Sequence, residues 1–153
     1  MSVRETARLQ SRKKVNANVD ALGARPPAGW ITTVRQALGI SGAQLARRLG
    51  VTRAAVYRSE QAERDGSITL NRLQEIAGKM GCRVVYALVP ETGRIETVLQ
   101  AQARYKAEQL LQRANTHMSL EAQALSSKEL ATQRELLVQE LLRDLPTDLW
   151  DTP

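Results

Sequence analysis

Between Trp30 and Met80 apolar residues recur at intervals of three and four, in short blocks separated by glycine. Ile31, Val34 and Leu38 share one face of a helix over Trp30 to Leu38 that Gly39 stops. Leu45, Ala46 and Leu49 form the next block. Its start is marked by Ser41, with Gln44 placed three residues on to reach back to the cap's own backbone N–H, the S-x-x-Q capping box. Gly50 comes next, able to take φ > 0 where a helix must stop and turn sharply. Val51 plugs the corner, Thr52 caps another helix, and Val56 repeats the apolar face. Ala46 is small where the two helices must cross closely. After Glu60, the polar segment Gln61 to Ser67, with Gly66, reads as a loop. Thr69 then opens a helix in which Leu70, Leu73, Ile76, Ala77 and Met80 close the bottom of the domain, and Gly81 ends it.

The pattern changes at Cys82. CRVVYALV, Cys82 to Val89, is β-branched and aromatic, short, and bounded by Gly81 and Pro90, which predicts a strand centred on Val84, Val85 and Tyr86. A lone strand has no partner in a helical domain. It either pairs with its symmetry mate across a two-fold axis, creating a homodimer, or lies as an extended tail on its own core. Farther on, Ile95, Val98, Leu99, Ala103, Leu110, Leu111, Ala114 and Met118 predict an amphipathic helix from about Thr92 to Met118. A second starts at a Ser126–Glu129 capping box and carries Leu130, Leu136, Leu137, Leu141 and Leu142 as far as Pro146. These stripes exceed what the preceding domain covers, so contact with another chain is expected.

Before the core, Ser2 to Leu22 is polar and helix-compatible. Arg4, Arg8, Arg12, Lys13 and Lys14 form a basic strip, and Val15, Val19 and Leu22 a sparse apolar one. It reads as an arm following a phosphate backbone, a helix docking on a partner subunit, or a frayed terminus. GARPPAG, Gly23 to Gly29, separates this arm from the core. The expected organisation is therefore 1–29 (arm and linker), 30–90 (core domain with strand 82–89) and 91–153 (helical extension).

A chain of 153 residues suits one compact domain with appendages. Its formal charge of +6 is unevenly spread. Residues 1–29 hold six Lys/Arg against two acids, 30–90 nine against four, and 91–153 seven against ten. A basic front and an acidic tail suggest that a polyanion is met by one and something else by the other. No apolar run is long enough for a membrane span or a secretory signal, so a cytoplasmic location is expected. One cysteine, Cys82, excludes an internal disulfide or a multi-cysteine zinc site, and one histidine, His117, has no histidine partner for a catalytic or metal pair. With no Gly-rich phosphate loop either, neither an enzyme nor a cofactor is expected.

The stretch SGAQLARRLGVTRAAVYRSE, Ser41 to Glu60, is a helix-turn-helix pattern, whose second helix enters the DNA major groove. It resembles the Cro/C1-type (Xre) family on Gln44, Leu45-Ala46, Gly50-Val51, Thr52, Val56 and Glu60. That resemblance implies an ion pair of Arg35 with Glu60 tying the first core helix to the reading helix. The amino-terminal residues of that helix enter the groove first, so Arg53, Ala54 and Ala55, with Arg58 one turn on, are the candidates for base edges. An arginine fork matches guanine O6 and N7, and alanine can touch a thymine methyl. Thr52, Gly42, Gln44 and Arg47 are candidates for phosphate, and Tyr57 for the groove edge.

Beyond the motif, RPPAGWITTVRQALGISGAQLARRLGV, CRVVYALVP, THMSLEAQ and LWD are similar to the bacterial family called mobile mystery protein A. That resemblance implies a regulator of an operon shared with a Fic-domain protein, and an antitoxin role as the alternative. Fic-inhibiting helices often carry Ser/Thr-x-x-x-Glu-Gly/Asn. Ser59 with Glu63 and Thr92 with Glu96 have the spacing without the following residue, so restraint of a Fic partner is expected through the carboxy-terminal helices instead. The expectation is thus an all-α Cro/C1-type bundle with a helical arm, one dimer-forming strand and a two-helix extension. It is expected to act as a dimeric repressor on operator DNA and to sit at the nucleoid when bound.

Overall fold

The computed structural model describes residues 2–120 and 126–151, with side chains at the end of the sixth helix described as far as His117. The Met118 side chain and part of THMSLEAQ lie outside the described residues. Seven helices run in order: α1 Val3–Asn16, α2 Trp30–Ala37, α3 Gly42–Leu49, α4 Arg53–Asp65, α5 Leu70–Lys79, α6 Ile95–Leu120 and α7 Ser127–Asp144. They divide into two compact units, residues 22–87 and residues 1–21 with 88–153.

In the unit 22–87, local signals set three of the four helix starts. Ser41 Oγ accepts from Gln44 N at 3.1 Å while Gln44 Oε1 accepts from Ser41 N at 2.8 Å. Thr52 and Thr69 cap α4 and α5 in the same i to i+3 manner. Gly50, at φ 68°, takes the left-handed conformation that ends α3, and Val51 N returns to Ala46 O at 3.0 Å. The core is Ile31, Leu45, Ala46, Val56, Ile76 and Met80, with Val34, Ile40, Leu49, Val51, Ile68 and Leu73 around it.

Two expectations need correction here. α4 does not end at Glu60: the expected loop Gln61 to Ser67 is helical to Asp65, and Gly66 at φ 83° terminates it. Gln, Ala, Glu and Arg are good helix formers, and Glu63 is buried against the start of α2. The strand over Cys82 to Val89 is absent, and among the described residues every regular element is a helix. Cys82 N closes the end of α5 on Ala77 O at 2.8 Å; the chain then runs without regular structure. Val84 is half-buried, while Val85 and Tyr86 are 62% and 64% exposed. β-branched residues favour extended backbone, but a strand needs a ladder partner, and among the described residues of the chain no second strand lies beside this segment.

In the unit of 1–21 and 88–153, α6 and α7 pack through Ala103 and Ala107, which are fully buried, against Val138, Leu141 and Leu149. Alanines one turn apart let the second helix approach closely. Lys106, also buried, donates from Nζ to Asp148 O at 2.8 Å and Asp151 O at 3.4 Å, and Gln102 Nε2 donates to Leu149 O at 2.8 Å. These bonds pin the turn after α7 onto α6. α1 joins at its far end: Asn16 Oδ1 accepts from Ile95 N at 2.9 Å, and its Nδ2 donates to Glu96 Oε2 at 2.8 Å.

Candidate nucleic-acid interface

The first turns of α4 present a one-sided surface. Arg53, Ala54, Tyr57 and Arg58 are exposed, while Val56 and Glu60 are buried beneath them. Ala55 is half-buried at the flank of this face, its N–H donating to Thr52 Oγ1 at 3.1 Å. Thr52 is exposed, and its hydroxyl, an acceptor in the cap, keeps its proton for an outside acceptor. Gln61, which sequence reasoning put in a loop, continues the exposed face one turn beyond Tyr57.

The surface is held from below. Arg35 Nε donates to Glu60 Oε1 at 2.8 Å, with side-chain exposures of 17% and 9%, and Arg35 Nη1 donates to Ile40 O at 3.1 Å. One guanidinium therefore ties α2, the corner before α3 and α4 together.

Beside the start of α3 lies a cleft of about 480 Å³ lined by Leu38, Gly39, Ile40, Gln44, Arg47 and Arg48. Gly42 is half-buried at this helix start. Gln44 spends its side-chain oxygen on the cap and keeps its amide donors. Arg48 Nη1 is engaged with Lys79 O at 3.0 Å, whereas Arg47 is exposed and has no ion pair among the described residues. A helix amino terminus beside an uncommitted arginine is a suitable place for a phosphate.

Sequence reasoning missed the residue that seats α2. Its N-cap is Gly29, at φ 83°, with no side chain to cap anything. Glu63 from α4 takes that role: its carboxylate accepts from Trp30 N and from Ile31 N, the latter at 2.9 Å. Arg25 completes the junction, donating to Glu63 O at 2.6 Å and Arg64 O at 3.0 Å at the end of α4. The available signal was negative: a helix start without Ser, Thr, Asp or Asn needs an acceptor from elsewhere. At the same helix end Asp65 Oδ1 accepts from the Ser67 hydroxyl and N–H, which holds its carboxyl below the usual aspartate value.

Among the described residues no group of His, Cys, Asp and Glu is arranged to hold a metal ion, and no helix is long and apolar enough to cross a membrane. No curated protein and no solved structure matches the chain. Residues 31–86 match the helix-turn-helix family model. That span runs from α2 through α5, so the unit 22–87 carries a Cro/C1-type helix-turn-helix, the DNA-binding domain of a transcription regulator.

Proposed function

We propose that the chain is a sequence-specific repressor that binds a pseudo-palindromic operator as a dimer and controls its own operon. The observation that carries this reading is the α4 surface: Arg53, Ala54, Tyr57 and Arg58 exposed together at the amino end of a helix whose other side is anchored by Val56 and Glu60. Arg53 and Arg58 read guanine, Ala54 and Ala55 meet thymine methyls or exclude larger groups, and Tyr57 lies at the groove edge. Thr52, Gly42, Gln44 and Arg47 set the register on phosphates. A two-fold dimer puts half-sites about one helical turn apart, and the exposed Val85 and Tyr86 offer apolar surface to a second copy. The resemblance to mobile mystery protein A supports an operon shared with a Fic-domain protein.

A second reading, an antitoxin that binds its Fic-type toxin through α6 and α7, is favoured by Tyr105, Leu110 and Leu136, which those helices leave exposed. A mobility shift on the upstream region against a shuffled duplex, at near-physiological salt, separates the two. Selective binding that Arg53→Ala loses supports the repressor. Equal, salt-sensitive binding to both duplexes refutes it.

A further inference from the structure

α1 is a helix of 14 residues that buries none of them. A helix of this length is marginal in water without packing. Its charges are one-sided: Arg4, Arg8, Arg12, Lys13 and Lys14 against Glu5. Glu5 is already committed, accepting from Ser2 N in the capping box. Arg4, Arg8 and Arg12 stand at i, i+4 and i+8, one row with about 6 Å of rise between successive members. Like charges at that spacing repel, so the row weakens the helix it stands on. Among the described residues none of the five cations has a carboxylate within ion-pair distance.

Arg8 and Arg12 also line a cleft of about 440 Å³ with Glu5, Leu9, Leu142, Arg143 and Leu145. Arg8 is exposed there and Arg12 half-buried. The row lacks a repeating anion. An acidic partner helix fits it less well, because the exposed apolar residues Val3 and Leu9 are six positions apart and lie on different faces of α1, giving no apolar ridge to dock on.

We propose that α1 is a second, sequence-independent DNA contact, in which Arg4, Arg8 and Arg12 lie against the phosphate backbone of the bound duplex. This rests on the DNA-binding reading of α4, and the test separates the two. Affinity of the full chain for the operator and for a shuffled duplex is measured by anisotropy from 50 to 200 mM salt. The comparison is between wild type, the triple variant Arg4→Gln/Arg8→Gln/Arg12→Gln, and the corresponding triple lysine variant. Each protomer loses three phosphate contacts and the bound dimer six, which lowers the salt slope by about 5.4, so the affinity lost over that fourfold salt range shrinks by on the order of 10³-fold. The change is expected to be equal on both duplexes, with the lysine variant keeping the wild-type slope and the glutamine variant melting no lower than wild type in the absence of DNA. An unchanged slope in a variant that still selects the operator overturns the α1 contact and leaves α4 intact. A lower melting temperature of the glutamine variant overturns it too, by making the arginines structural. Failure of wild type to bind any duplex removes the α4 reading itself.

Discussion

Replacing Glu63 by alanine tests the junction that seats α2. The carboxylate accepts two backbone N–H groups at the start of that helix, and a hydrogen bond to a charged group contributes about 1.5 to 3 kcal/mol. Loss of both gives about 3 to 6 kcal/mol. The bond from Trp30 N is only part-buried, so the upper part of that range is discounted. Ile31 is 1% exposed and its N–H is left buried without a partner. The expected destabilisation is therefore about 3 kcal/mol, or about 12 to 24 °C in Tm for a domain of this size. Gly29 supplies an internal control. A Cβ there would stand 2.9 Å from Glu63 Oε2, at a φ of 83° that L side chains rarely adopt. Gly29→Ala in wild type meets both the clash and the backbone strain, whereas in the Glu63→Ala background only the strain of about 1 to 2 kcal/mol remains. The two substitutions are thus expected to be less than additive. Urea unfolding followed by Trp30 fluorescence in a Trp150→Phe background reports this unit alone. A loss below about 0.5 kcal/mol for Glu63→Ala, the range of an ordinary surface substitution, would falsify the account.

Three further outcomes are expected. Glu60→Ala leaves the Arg35 guanidinium without its carboxylate and costs about 3 kcal/mol, near the lower end for breaking a buried pair because Arg35 retains some solvent and its bond to Ile40 O. The folded fraction of this variant keeps its operator preference in binding assays, and a binding defect at unchanged thermal stability contradicts the architectural role. Lys106→Met removes the donor to Asp148 O and Asp151 O, costs about 2 kcal/mol, and shows as a shift in Trp150 emission and faster proteolysis after Asp144; an unchanged cleavage rate counts against the pin. The Asn16 side chain, hydrogen-bonded to Glu96, holds that carboxyl below its ordinary value of 4.5. A lowered folded-state value means the contribution is complete above pH 4.5 and is lost as pH falls through the native value. Protection factors in α1, corrected for the intrinsic exchange rate, should fall over that acid range, and Asn16→Ala should flatten the dependence; protection in wild-type α1 that is indifferent to pH refutes the link.

Signals confined to four neighbouring residues were legible in the sequence. The Ser41–Gln44 and Ser126–Glu129 boxes, the Thr52 and Thr69 caps and the left-handed Gly50 lie where a purely local reading puts them, because each joins an orphan backbone group to a side chain three positions away or to a turn only glycine takes freely. The misreadings involve partners remote in sequence or absent. Glu63 lies 33 residues from Trp30, and its helix looked like a polar loop until the buried start of α2 supplied a reason for a carboxylate there. The Cys82 to Val89 segment has the composition of a strand, but composition does not create a ladder. On the exposed face of α4, burial of Val56 and Glu60 orients Arg53, Tyr57 and Arg58 outward, which helical spacing anticipates; Gln61 joins them because α4 runs farther than its apolar pattern suggests.

The division of the chain has a consequence for biosynthesis. Residues 22–87 form a contiguous unit, whereas the other is assembled from 1–21 and 88–153. On the ribosome the helix-turn-helix has all of its residues while α1 still waits for the Ile95 N–H, 79 residues after Asn16. At about 5 to 20 residues per second that delay lasts on the order of 4 to 16 s. During it the Asn16 side chain is without its partners on α6, and only completion of that helix gives α1 a fixed place.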